Sequence, residues 1–247
     1  MADLDLIPHD DPEQDTPERH KVAQRSTLVS VIVNLVLTTV QVLVGVLAHS
    51  QALIADGIHS LSDLIADFVV LIANKHSHKE ADDDHHYGHH RYETAASLVL
   101  GALLLSVGVG MLWGAVNKLS DPDVIPKVKP IALWVAVIAL VSKELLFRYM
   151  LAAAERVRSS MLVANAWHAR SDAASSLVVA LGIIGNLMGF PLLDPVVALI
   201  VGLMVTKMGW EFGWDALNDL MDRSASQDQI DEIITILRET PGVHGVH

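Results

Sequence analysis

The chain has 247 residues, of which 51% are hydrophobic, and a formal net charge of −12. With a mean hydropathy of +0.39, it is too apolar for a water-soluble domain that must also clothe itself in polar groups, and an acidic balance without a basic patch argues against a nucleic-acid partner. There is no cysteine, so disulfides and thiolate metal sites are excluded and any metal must be held by His, Asp, Glu, Asn or backbone oxygen.

Residues 1–25 open the chain as an acidic stretch punctuated by Pro8, Pro12 and Pro17. They lack the basic start and apolar run of a cleaved signal peptide and read as a disordered cytoplasmic tail. Residues 26–214 read as a six-helix transmembrane domain. From Ser26 to Ala55, and again from Thr94 to Asn117, there is no Asp, Glu, Lys or Arg, and each run exceeds the roughly 20 residues a helix needs to cross about 30 Å of hydrocarbon. The spacing predicts spans over about 26–48, ending at the turn-like His49 and Ser50, and about 51–74, with Asp56, His59, Asp63 and Asp67 along it. A third, about 94–117, is closed by Asp121 and Pro122. The fourth follows Pro130 and is apolar to Val141 before meeting Lys143, Glu144 and Arg148, so its second half must face protein, water or head groups. The fifth begins near Met161 and is uncharged from Ala173 to Leu193; after a short turn bracketed by Pro191 and Pro195 the sixth runs to about Met208.

Lys and Arg in the short loops set the expected orientation. Arg19, Lys21 and Arg25, then Lys75, Lys79 and Arg91, then Arg156 and Arg158 fall on one side, against only Lys118, Lys127 and Lys129 on the other. Both termini are therefore expected on the cytoplasmic side of the cell inner membrane. Residues 215–247 read as a linker and one amphipathic helix, Ser226 to Glu239, with Ile230, Ile233, Ile234 and Leu237 at helical spacing and Pro241–Gly242 as its stop. Val243 to His247 looks like the start of a strand whose sheet is missing, as though the chain ended inside a domain.

Two His-x3-Asp pairs stand out within the apolar stretches: His59 with Asp63, and His168 with Asp172. On a helix each pair lies on one face, one turn apart. Two such helices side by side offer two imidazoles and two carboxylates to one point, the four-coordinate N/O environment that Zn²⁺ favours. An aspartate at the centre of a membrane helix costs on the order of 2.5–3.5 kcal/mol on insertion scales, so paired polar residues there need a shared compensation. Asp56 and Asp67 lie on the same stripe and read as vestibule or helix-end charges rather than ligands. The loop Asp82 to His90 is the densest cluster of potential ligands; its blander reading is a solvated polar loop or a weak histidine-rich sponge.

These motifs together (ALIADGIHSLSD, DDDHHYGHHRYE, HARSD and DPVVALIVG) resemble the cation diffusion facilitators, exporters of zinc and related divalent metals, over nearly the whole chain from about residue 25. The resemblance implies an all-α membrane domain of six transmembrane helices followed by a cytoplasmic α/β, metallochaperone-like domain that is truncated here to its first helix. It implies a transport site at His59, Asp63, His168 and Asp172, and a second loop site at Asp82, His85 and His89. Arg91 and Asp222 match a cytoplasmic charge interlock, and His247 falls on a cytoplasmic-domain ligand position whose companions would lie beyond the last residue. The chain is then no enzyme but a homodimeric secondary transporter that exchanges Zn²⁺ for protons, with the metal as transported substrate and no organic cofactor. Members with two His and two Asp are mostly zinc-selective, in keeping with the affinity of imidazole for Zn²⁺ and of carboxylate for the harder Mn²⁺.

The chemistry suits exchange. A histidine near its unperturbed pKa of about 6.5 binds a proton or a metal on the same nitrogen, and the two compete. The rivals are a membrane-anchored metal sensor or store, a Mn²⁺, Fe²⁺ or Cd²⁺ carrier of the same family, and a proton-coupled carrier of something other than metal. Hydrolysis fits poorly, since no nucleophile and base are paired and four protein ligands would close the open position that a hydrolytic zinc requires.

Overall fold

A computed structural model describes residues 17–77, 91–121, 125, 127–157, 160–221, 223–224 and 227–239. Among these residues there are seven helices and no strand: α1 (Pro17–Ala48), α2 (Gln51–Ser77), α3 (Arg91–Ser120), α4 (Ile131–Val157), α5 (Ser160–Leu187), α6 (Leu193–Leu220) and α7 (Gln227–Glu239). The shortest of the first six has 27 residues, about 40 Å of helix. Among the described residues three stretches are long and apolar enough to cross a membrane: Gln24–Ala48 of α1, Thr94–Ser120 of α3, and α6. The other three long helices, α2, α4 and α5, are the ones that carry Asp56, Asp63, Lys143 and Asp172 in their interiors.

Several boundaries differ from those expected. Helix α1 begins at Pro17, inside the stretch assigned to the acidic tail, because Pro17 sits at the first helical position, where its missing N–H costs nothing. Helix α6 runs on to Leu220, so the domain boundary drawn at 214 falls within a helix; nothing between Trp210 and Leu220 breaks it, and Gly213 is used for packing. Val243 to His247 lies outside the described residues. The α1–α2 turn is where the sequence put it: His49 adopts a positive φ of 61°, and the Ser50 N–H donates to the Gly45 carbonyl at 3.0 Å.

The bundle is centred on α2, which packs against α1, α3, α5 and α6, while α4 lies against α1 and α5. Its interior is rich in small side chains, with Leu53, Leu104 and Ile183 among the few large ones fully buried. Ala48, Ala52, Ala55, Ala132, Ala136 and Ala139 are buried, whereas Leu28, Ile32, Leu43, Val99, Leu103 and Leu203 point outward. A soluble protein does the reverse; large apolar groups outside and small ones inside suit a bundle whose surroundings are lipid. All five tryptophans are exposed. Trp113 and Trp134 lie toward the end of the bundle where α3 stops and α4 starts, and Trp167, Trp210 and Trp214 lie toward the opposite end, as amphipathic rings do at the two faces of a bilayer.

The most extensive contact, α3 with α6, is glycine-lined. Gly101 faces Gly213, Gly108 faces Thr206, and Gly209 faces the backbone of Leu104 and Leu105. Gly182 and Gly185 of α5 meet Val197 and Leu193 of α6, while Gly110 faces open space. Asp194, at the start of α6, ties the bundle together at the same end as the α1–α2 turn. It accepts from Ser50 Oγ at 2.6 Å and from the Gln51 N–H at 2.7 Å, and Ser50 Oγ in turn caps α2 by accepting from the Leu53 N–H at 3.2 Å.

Candidate metal centre

His59 and Asp63 lie one turn apart on α2, and the α2–α5 contact brings Asp172 to them. Each of the three offers a ligand atom, and these atoms all lie within 4.8 Å of one another. His59 Nδ1 and Asp63 Oδ2 are 3.7 Å apart, too far for a hydrogen bond, and both atoms are buried without a hydrogen-bond partner. Buried polar atoms are ordinarily satisfied, because leaving one unsatisfied costs its full desolvation. A ring nitrogen and a carboxylate oxygen facing each other across such a gap suit a cation between them: a tetrahedral Zn²⁺ with bonds of about 2.0–2.1 Å spaces its ligands about 3.3 Å apart.

His168 stands outside this three-residue group and is exposed. It nevertheless lines the same small cavity as Asp63 and Asp172, together with Asp67, Asn34 and Asn165. That cavity lies between α1, α2, α4 and α5 on the side of the ligand group toward the C-terminal end of α2. Asp67 thus lines the cavity without joining the ligand group. Arg170, two residues beyond His168, places its guanidinium 5.0 Å from the ring centroids of both Phe147 and Trp167 and so fastens this part of α5 to α4.

Asp56 departs from expectation. It is no vestibule charge but completely buried, on the other side of the ligand group. Lys143 of α4, itself buried, reaches it with Nζ 3.5 Å from Oδ1 and donates to Ser176 Oγ at 2.7 Å and Ser60 Oγ at 3.0 Å. Ser176 Oγ donates to Asp56 Oδ2 at 2.8 Å, and Gln41 Nε2 of α1 donates to the same oxygen. Four helices meet in this polar layer.

Residues 27–221 match the cation efflux transmembrane domain. The chain belongs to the cation diffusion facilitator family. It is 34% identical over 220 residues to magnetosome protein MamB of Magnetospira sp. strain QH-2, covering 87% of this chain and 73% of that protein. It is 33% identical to metal tolerance protein C1 of Arabidopsis thaliana, over 85% of this chain and 48% of that one. It is 36% identical to manganese efflux system protein MneS of Bacillus subtilis, over 72% of this chain and 61% of that one. The chain therefore spans from about half to about three quarters of the length of these relatives. Membership places it among transmembrane cation transporters rather than enzymes.

The remaining ligand candidates divide by position. The loop residues Asp82, His85 and His89 lie outside the described residues, as do Asp222 and His247. Arg91 is the first residue of α3 and is exposed. The Lys143 layer is what reading the sequence missed, although a signal was there. Gln41, Asp56, Ser60, Lys143 and Ser176 are polar residues in otherwise apolar helices, and a lysine and an aspartate inside a membrane domain are each expected to seek a partner of opposite sign.

Proposed function

We propose that this cation diffusion facilitator exports a divalent metal, Zn²⁺ foremost, from the cytoplasm in exchange for protons, by alternating access to a site made of His59, Asp63, His168 and Asp172. The observation that carries the reading is the group of three ligand side chains on α2 and α5, two of which face each other with buried, unpartnered atoms. In this reading all six long helices cross the inner membrane, both termini are cytoplasmic, and the chain works as a homodimer. The vestibule lined by Asp67, Asn165 and His168 is the cytoplasmic entrance, and His168 swings inward to complete the tetrahedral set once metal arrives. The Asp82, His85 and His89 loop is proposed to gather metal near that entrance; Arg91 with Asp222, and His247, are proposed for the cytoplasmic region.

A second metal has specific support. Two carboxylates and one imidazole make a harder ligand set than two of each, and harder sets favour Mn²⁺; one relative is named as a manganese efflux system protein. Sealed proteoliposomes with an imposed pH gradient separate the readings. Zn²⁺ uptake that follows the proton gradient and disappears in both Asp63→Ala and His168→Ala is the expected result. Larger uptake of Mn²⁺ than of Zn²⁺ would favour the second metal, and binding without flux of either would favour a sensor or store.

Proton coupling fixes the sign of the pH dependence. The metal needs neutral imidazole and ionised carboxylate, so each proton bound at the site opposes it. Affinity for Zn²⁺, followed by calorimetry in detergent between pH 8 and pH 5, is therefore expected to fall as the pH falls. A flat profile would mean that metal and protons do not share ligands, and the exchange reading would be withdrawn.

A further inference from the structure

Asp56 is placed as a ligand would be, yet it stands outside the ligand group. It lies three residues before His59 on the stripe that carries His59 and Asp63. Its carboxylate is fully buried and both oxygens are engaged, Oδ1 by Lys143 and Oδ2 by Ser176 and Gln41. Lys143 meets this cluster from α4. Its ammonium has three donors, and three acceptors stand around it: Asp56 Oδ1, Ser60 Oγ and Ser176 Oγ. Ser60 directly follows His59, and Ser176 lies one turn beyond Asp172. The ammonium therefore sits beside both ligand-bearing helices, where a second cation would otherwise be attracted to the buried carboxylate.

We propose that Lys143 determines metal specificity: its ammonium holds Asp56 out of the ligand set, so that the transported metal meets two carboxylates instead of three. The inference rests on the metal-transport reading above. Removing the ammonium frees an anionic oxygen donor about one helical turn from His59. A third carboxylate raises the oxygen character of the site and favours the harder Mn²⁺ over Zn²⁺, whereas imidazole favours Zn²⁺. Lys143 touches none of the four ligands by hydrogen bond in this structure, so it acts through Asp56, as a positioning residue.

The test is a comparison of Zn²⁺ and Mn²⁺ dissociation constants by calorimetry on the purified full chain in detergent. The chains compared are the parent, Asp63→Ala, Lys143→Met, Lys143→Gln and the double variant Lys143→Met/Asp56→Asn. Lys143→Met should raise the affinity for Mn²⁺ relative to Zn²⁺ about tenfold, the lower end of what altering a residue that orients a metal ligand does. Lys143→Gln, which keeps hydrogen bonds to the serines without the charge, should move the ratio the same way and serves if the methionine variant does not fold. The double variant, with no charge at either position, should return the ratio to the parent's. A ratio unchanged in both single variants, or a shift that persists in the double variant, overturns the proposal, since a purely structural lysine would weaken both metals alike. Should Asp63→Ala bind both metals as the parent does, the transport-site reading falls and this inference with it. Loss of binding in Asp63→Ala with an unmoved ratio in the Lys143 variants overturns the inference alone.

Discussion

Gly209→Val should stop α3 and α6 from closing on each other. A Cβ at position 209 would lie 2.5 Å from the Leu105 amide nitrogen and 2.9 Å from the Leu104 carbonyl carbon, and backbone cannot rotate aside as a side chain can. Overpacking a well-filled site costs about 1–3 kcal/mol where neighbours can shift; here two helix backbones must part, so the upper end of that range or beyond is expected. The variant should extract as a polydisperse species and unfold well below the parent in a thermal scan in detergent. Gly110→Val is the control, because nothing stands within 4 Å of a side chain there. If both variants melted alike, the backbone contact between α3 and α6 would not exist as described.

Asp56→Ala is expected to be the most damaging single change in the polar layer. It leaves the Lys143 ammonium buried with only two hydroxyl oxygens as partners, and breaking a buried pair by deleting one member costs about 3–5 kcal/mol. The loss reflects the stranded charge more than the worth of the pair, so Lys143→Met added to Asp56→Ala should recover much of it. A double-mutant cycle on unfolding free energies measures this directly: strong coupling between the two positions is the expected result, and additive losses would mean that the two charges do not meet. Surface pairs provide the contrast. Arg148 and Glu144 are exposed on α4 and joined at 2.8 Å, and severing them should change stability by less than about 1 kcal/mol.

Helices were the easiest part of this molecule to read from its residues. Long uncharged runs mark α1 and α3, and Gly189 and Pro191 mark the turn between α5 and α6. That His59 and Asp63 share one face of α2 was equally legible, since they are separated by one helical turn and a local period suffices. His168 shows where local reasoning ends. Spacing puts it on the face of Asp172, yet which rotamer and which neighbouring helix it meets are tertiary matters, and here it lines the cavity beside the group formed by the other three. Asp56 failed for a related reason. Its partner is 87 residues away on α4, and no periodicity within α2 reports what α4 will place against it. The ends of α1 and α6 were misjudged because the apolar run was used to bound helices that continue past it.

The glycine contact between α3 and α6 bears on movement as well as on stability. Side chains between two helices can change rotamer and let one helix slide along the other, like rollers between plates. Gly101, Gly108, Gly209 and Gly213 remove the rollers. The two helices are keyed together as a single strut, and movement of the other helices against it runs along the seams where side chains still intervene, between α2 and the strut and between α5 and α6.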